Sequence, residues 1–420
     1  MAQRQRDEYL TELLGIPGWY VAEKHRRWRR GRQEAVLVLD REAASYTCGG
    51  CGQACATARP WRVQELQHLL LWEHVTVLRV QKYRVICPAY GVKAERLPWA
   101  ARTARVTTKL AALVGELCKV LTNSAVARLL WLHPGTVKAL DQRAIQAAQA
   151  VRPLDGITTL GLDEIAVGRG QIYWHLVSAL DGPRGPEVLF VGEGRKEADL
   201  EPFWAWFGPR AAQITHAVMD MGKAFRRSFE AHCPGIQVIY DTCHVLRHLL
   251  TALNEVRKQE LQRAGQKFRG LLAGKKFILL ARRRTLRGEA RQALRDLLGA
   301  NRRLFKAHLL KESFGQLWSY RSKTWARKFF TRWVEQLKWS RLAPYQEFAR
   351  LVEAHLEGIL AYCTKRVSLG YVEGTNLKAR NIIRRAYGYR DKEYMKLKII
   401  QGCSSLGVFQ PWGRANNISP

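Results

Sequence analysis

The sequence is short of acid. Across 420 residues, 36 Asp and Glu stand against 69 Lys and Arg, a formal net charge of +33. An excess of this size concerns partners rather than fold, and nucleic acid is the usual polyanion. Long apolar runs are missing too. The longest patches, such as residues 69–72, fall far below the length of about 18 residues that a membrane span needs. Residues 1–15 show no signal-peptide pattern, and no Gly-x-x-x-x-Gly-Lys-Ser/Thr loop is present to cradle nucleotide phosphates. Internal repeats and low-complexity segments are absent. Nine cysteines in a chain this long, without a secretion pattern, argue against a disulfide framework. Reduced thiols and a cytoplasmic protein, nucleoid-associated when bound, are the expectation. What is abundant is apolar residue, 47% of the chain, which makes it globular rather than disordered.

The N-terminal region opens with a short amphipathic stretch (Tyr9, Leu10, Leu13, Leu14, Ile16) and a basic patch at 24–32. Residues 35–40 and 74–86 read as strands, each leading toward a cysteine knuckle. The first knuckle is Cys48-Gly-Gly-Cys51-Gly52, and the second is Cys87-Pro-Ala-Tyr90-Gly91. Paired C-x-x-C-G knuckles are the pattern of a zinc ribbon, in which Zn²⁺ would sit on Cys48, Cys51 and Cys87. Tyr90 is a poor fourth ligand, so Cys55, His68 and His74 stand as substitutes, beside an alternative in which packing alone holds the module. Residues 105–150 read as helical, with a break at residues 133–135 and a second helix opening at Thr136. The spacing of Ala125, Val126, Leu129 and Leu130 against Val137 and Leu140 suggests a helix-turn-helix, with Thr136 and Lys138 as candidate DNA contacts.

From residue 157 the pattern changes to three strands joined by Gly-rich turns, then helix, strand (216–221), helix and strand (236–241). That order is a mixed α/β core and matches an RNase H-like fold. Residues 242–365 become basic and helical. Trp318, Trp325, Trp333 and Trp339 recur there at intervals that suggest one buried face, while Lys275, Lys276, Arg282, Arg283, Arg284, Arg302 and Arg303 form either a DNA track or a solvated surface.

Three acids stand out in this basic chain. Asp163 follows a strand-like Gly-Leu, Asp220 ends a short buried strand, and Glu373 leads a C-terminal segment rich in cations and amides. The separation of Asp163 and Asp220 fits neighbouring strands of one sheet. The longer separation of Asp220 from Glu373 leaves room for a helical insertion. Three carboxylates at one sheet edge suit two Mg²⁺ or Mn²⁺ ions and phosphodiester chemistry. Downstream of Glu373, Asn376, Lys378, Arg380, Arg384, Arg385 and Arg390 are candidate contacts to the DNA backbone. Asp241-x-x-His244 is an auxiliary pair, suited either to positioning a phosphate or to a structural role.

With these residues in view, nearly the whole chain resembles bacterial DDE transposases of the ISL-three insertion-sequence family. The resemblance rests on Glu373-Gly374-x-Asn376 with the Ile-Arg-Arg-Ala-Tyr-Gly-Tyr-Arg run at 383–390, on GLDE at 161–164, on VMDM at 218–221 and on YDTCHV at 240–245. It implies catalytic Asp163, Asp220 and Glu373, and metal-dependent cleavage and strand transfer at the element's terminal inverted repeats. It also implies a homo-oligomer on double-stranded DNA and no need for a nucleotide. Tyr90 departs from the family's knuckle, and Cys243 stands where an aromatic residue is common. The implied layout is a zinc-ribbon-like module at 1–100, a helix-turn-helix at 101–154, a catalytic core at 155–241 and 366–420, and a helical insertion at 242–365. The competing expectations are a DNA-binding remnant or repressor without catalysis, and a nuclease that cuts without joining.

Overall fold

The computed structural model describes residues 6–101, 105–168, 172–367, 369–386 and 389–407. Among the described residues, no helix is long and apolar enough to cross a membrane. The chain divides into two compact units, with the break between Arg152 and Pro153.

The first unit begins with α1 (Glu8–Leu14), capped by Asp7, and continues through β1 (Trp19–Arg29), β2 (Arg32–Arg41), β3 (Tyr46–Thr47), β4 (Ala54–Cys55), β5 (Ala58–Gln67), β6 (Val75–Cys87) and β7 (Gly91–Ala94). The main sheet runs β1-β2-β6-β5, with β7 paired to β6. Alternating residues of these strands, Trp19 and Val21, Leu37 and Leu39, Leu78 and Val80, bury one face. The basic patch of the sequence is no irregular segment: most of it is the outer half of β1, joined to β2 by the two-residue turn Arg30-Gly31. Both turn residues have positive φ (52° and 73°), the geometry that matches strand twist in a tight hairpin and that Gly31 adopts freely.

Three helices complete this unit: α2 (Thr108–Val120), α3 (Asn123–Leu130) and α4 (Pro134–Ala150). They share a core of Leu110, Val114, Val126, Leu130, Val137 and Leu140. The second helix opens earlier than expected. His133 is its N-cap, and Pro134 takes the first helical position, where a missing N–H costs nothing. Thr136 therefore lies inside the first turn.

The mixed α/β organisation of the second unit is plain. Its strands are β8 (Thr159–Ala166), β9 (Tyr173–Ala179), β10 (Glu187–Glu193), then β11 (His216–Met219) and β12 (Gln237–Tyr240), separated by α5 (Glu201–Phe207) and α6 (Lys223–His232). The sheet order is β10-β9-β8-β11-β12. The first three strands are antiparallel, while β8, β11 and β12 run parallel. From β12 the chain enters α7 (Thr242–Arg263), followed by α8 (Gln266–Leu272), α9 (Lys276–Leu280), α10 (Gly288–Ala300), α11 (Arg302–Phe314), α12 (Lys323–Lys338), α13 (Ala343–Ala354) and α14 (Leu356–Ala361). It then returns through α15 (Leu369–Arg385) and α16 (Lys392–Gly402).

The sheet is covered on both faces. Leu160, Leu162, Val177 and Leu189 meet Phe203, Phe207, Val245 and Leu249 on one side. Ile165, Leu176, Val188 and Val191 meet Ala379, Met395 and Ile399 of α15 and α16 on the other. The expected single buried tryptophan face is not found. Trp333 is 1% exposed, but Trp325 is 58% and Trp339 87% exposed.

Candidate active site

The parallel ladder aligns three aspartates. His216, Ala217 and Val218 of β11 face Thr159, Leu160 and Gly161 of β8, so continuing the same register sets Asp220 level with Asp163. Met219 faces Tyr240 of β12, and the Asp241 N–H continues that ladder to the Met219 carbonyl at 2.9 Å. One step further puts Asp241 level with Asp220. Asp163 thus lies inside β8 rather than after a strand, because β8 runs on past Gly161, its last residue paired with β11.

Period-two alternation puts Asp163 on the same sheet face as Ile165, beneath α15. One Asp163 oxygen accepts the Glu164 N–H at 2.7 Å, and the other accepts the Asn376 amide of α15 at 2.5 Å. Burial pushes the Asp163 carboxyl above its usual range, against the pull of those donors. Asp220 Oδ1 accepts the Gly222 N–H at 2.9 Å; a Cβ on Gly222 would sit 2.8 Å from that oxygen and push the carboxylate aside. Glu373 is exposed on α15, with Oε2 4.0 Å from the Cys243 sulfur in the first turn of α7.

Asp241 is buried and caps α7. It accepts the Cys243 N–H at 2.8 Å and His244 Nδ1–H at 3.0 Å. The Asp241 carboxylate, with Asp163 nearby, holds the His244 imidazole above its usual range. The structure also brings in residues that sequence reading missed. Glu164 forms an ion pair with Arg195, whose guanidinium lies 3.9 Å from the Tyr173 ring centroid. Burial, ahead of the attraction to Arg195, lifts the Glu164 carboxyl. Alternation along β8 could have marked Glu164, but nothing local marks Arg195, which arrives from the turn after β10.

Of the expected DNA contacts in the second unit, Lys378, Arg380, Arg384, Arg385 and Arg390 are exposed. Asn376 is different: it is 9% exposed and its amide is taken by Asp163. Thr136 and Lys138 belong to the first unit, half-buried on α4.

The site gathers Asp163, Glu164, Asp220, Asp241 and Glu373 against the Arg195 guanidinium and the His244 imidazole. Oxygen donors with a surplus of negative charge fit a hard divalent cation. Among the described residues the three catalytic candidates do not close to within 4.8 Å of one another, whereas a cysteine trio does.

That trio is Cys48, Cys51 and Cys87 in the first unit, with Cys51 and Cys87 sulfurs 3.6 Å apart. The Cys48 thiol is drawn down to about 7, first by the Cys51 backbone N–H and then by that of Gly50. Thiolates stabilised by backbone donors are soft ligands suited to a metal ion. Of the substitute donors, His68 is committed to Thr107 at 2.8 Å and His74 to Glu73 at 3.5 Å. Cys55 instead packs in the same cluster as Cys48 and Cys87. Tyr90 is 56% exposed and stands over Gly50.

This edge of aligned acids meets a clear set of relatives. A family model described as Transposase, of the DDE type and the ISL-three (ISL3) group, matches residues 160–399. The transposase for insertion sequence element IS1001 of Bordetella parapertussis is 32% identical over 400 residues, covering 94% of this chain and 97% of that one. The transposase for insertion sequence element IS1557 of Mycobacterium tuberculosis is 26% identical over 395 residues, covering 86% of this chain and 87% of its own. The chain belongs to the ISL3 family of DDE transposases.

Proposed function

We propose that this protein cuts DNA at the terminal inverted repeats of its own insertion sequence and joins the freed 3′-ends to target DNA. The observation that carries this reading is the parallel register of β8 against β11, which on continuation sets Asp220 level with Asp163, with Glu373 on the helix packed over β8. The sheet order, with three antiparallel strands and then two parallel ones beside the first, supports an RNase H-like core. On this reading α7 to α14 form an insertion between the two parts of that core, and α15 and α16 return to it; of the expected second part, 366–420, residues 408–420 lie outside the described residues.

Asp163, Asp220 and Glu373 hold the divalent ions, Mg²⁺ or Mn²⁺. Bound there, such ions supply the Lewis acidity that phosphodiester chemistry needs. Asn376 fixes one Asp163 oxygen, leaving that carboxylate little freedom to rotate. Asp241 fixes His244 beside the edge, where it positions a phosphate oxygen. Lys378, Arg380, Arg384, Arg385 and Arg390 neutralise the backbone of the DNA. Two ends must be cut together, so the protein works as a homo-oligomer on DNA, at the nucleoid of the cytoplasm, without a nucleotide.

The test is a nicking and joining assay on a duplex carrying the element's end, with Mg²⁺ or with EDTA. Nicking and joining in Mg²⁺, and neither in EDTA, are expected. Binding without cutting in both would make the chain a DNA-binding remnant or repressor. Cutting without joining would make it a nuclease.

The first unit, on the same reading, carries Zn²⁺ on Cys48, Cys51 and Cys87, with Cys55 in the place left by Tyr90. Cys87→Ser is expected to strip the metal from protein purified under reducing conditions. Cys55→Ser should weaken retention against a chelator by at least about 10-fold and remove one thiolate's share of the charge-transfer band of the Co²⁺-substituted protein. Tyr90→Phe should change neither. An unchanged Co²⁺ spectrum in Cys55→Ser would place the fourth ligand elsewhere.

A further inference from the structure

The first unit holds a second concentration of charge that its cysteine cluster does not explain. The outer half of β1 exposes Lys24, His25, Arg26, Trp28 and Arg29, although a strand of this length would ordinarily bury alternate residues. Part of that charge is neutralised. Arg27 pairs with Glu34 and Glu65, Arg29 with Glu65 at 3.0 Å, and Arg32 with Glu34 at 3.0 Å. Arg30, at the tip of the turn, has no such partner among the described residues. It faces a cleft whose other walls carry Arg105 and Arg143, and no acidic side chain lines that cleft.

One wall is the exposed face of α4. Thr136, Ala139 and Arg143 fall on one side of that helix, while Val137, Leu140 and Ile145 are buried on the other. The hairpin is tied to the turn that precedes α4. Arg32 donates to the Trp131 carbonyl at 2.8 Å with its guanidinium 6.0 Å from that ring's centroid, and the Gln67 amide donates to the Leu130 carbonyl at 2.6 Å. These bonds satisfy carbonyls that α3 leaves open at its C-terminus, and they hold sheet and helix as one surface.

We infer that the β1–β2 hairpin and the opening turns of α4 form a composite seat for double-stranded DNA. Thr136 and Arg143 reach base edges in the major groove, while Arg30 and Arg105 hold the phosphates that border it. The inference rests on the proposed function for the identity of its partner. A cleft lined by guanidinium groups, with no acid among the described residues of its lining, selects a polyanion, and one helix, α4, fills the width of the major groove, leaving the hairpin tip to lie along the bordering phosphates. The hairpin is what sequence reading left out of the DNA contacts.

The experiment uses the full-length protein and two duplexes of equal length, one carrying the element's end and one unrelated, titrated by fluorescence anisotropy over a range of salt. Arg30→Asn removes the charge with a residue that tolerates positive φ, so the turn is kept. It is expected to weaken binding to both duplexes and to lower the salt slope by about 1. Arg143→Ala should weaken binding to the element's end by roughly 10-fold while leaving the unrelated duplex nearly unchanged. Thermal unfolding of both variants should match the parent. A parent-like salt slope in Arg30→Asn, together with parent-like discrimination in Arg143→Ala, overturns the composite surface while leaving the transposase reading standing. If the unmodified protein binds neither duplex, the transposase reading itself falls, and this surface falls with it.

Discussion

Asp163→Asn should leave a folded protein that holds DNA as tightly as the parent, or more tightly, yet cuts at least roughly 10³-fold more slowly. The substitution keeps the shape of the side chain and an oxygen able to accept the Glu164 N–H, a bond of 2.7 Å, while the Asn376 amide must turn its own oxygen toward the new NH₂. It removes a carboxylate whose ionised form burial already disfavours, so the fold loses little or gains. What it cannot keep is the negative charge that a divalent ion requires, and Asp220 and Glu373 cannot supply that charge from their own positions. Glu373→Gln should behave alike, with its exposed position on α15 making the fold indifferent to the change. The nicking rate on an element-end duplex in Mg²⁺, set beside binding by anisotropy, decides the matter. A variant that cuts within about tenfold of the parent removes Asp163 from the metal-holding set.

Trp333→Ala should cost the second unit about 3–5 kcal/mol. Trp333 is 1% exposed and lies against Phe314 and Phe348, with ring centroids 5.0 and 5.9 Å away. Its indole N–H donates to the Leu310 carbonyl at 3.1 Å. Truncation would leave a cavity among α11, α12 and α13 and an acceptor without its donor, two penalties that add. Trp339→Ala, at 87% exposure, should stay within about 0.5 kcal/mol. Urea transitions followed by far-UV circular dichroism compare the two. A loss below about 1 kcal/mol at Trp333 would mean that the helices close over the gap.

The contrast between those two tryptophans shows where sequence reading was sound and where it was not. Trp325 and Trp333 both lie on α12, but the buried stripe of that helix, Ala326, Phe330, Trp333 and Leu337, centres about 110° round the helix from Trp325 and leaves it outside. Strand β2 was legible as a short apolar run, and β6 because its apolar residues alternate in part. Strand β1 was not, since its cations erase the pattern and its place in the sheet is fixed by the Arg30-Gly31 turn and by Glu34 and Glu65 across the ladder. The two aspartates were legible as a spacing, and the register of β8 against β11 gives that spacing its meaning. Asn376 read as one more polar residue in a basic segment; only the packing of α15 on β8 aims its amide at Asp163. The pairing of Glu164 with Arg195 depends on a turn whose path no local pattern encodes.

The carboxylates of the candidate site are made far apart in time. Asp163 and Asp220 emerge from the ribosome together with the strands that align them, while Glu373 follows only after α7 to α14. At ordinary elongation rates that delay is roughly 8 to 30 s. For that interval the nascent chain carries residues 1–152 and two of the three acids. A nascent chain that already holds the proposed DNA seat still lacks the last carboxylate of the proposed metal site.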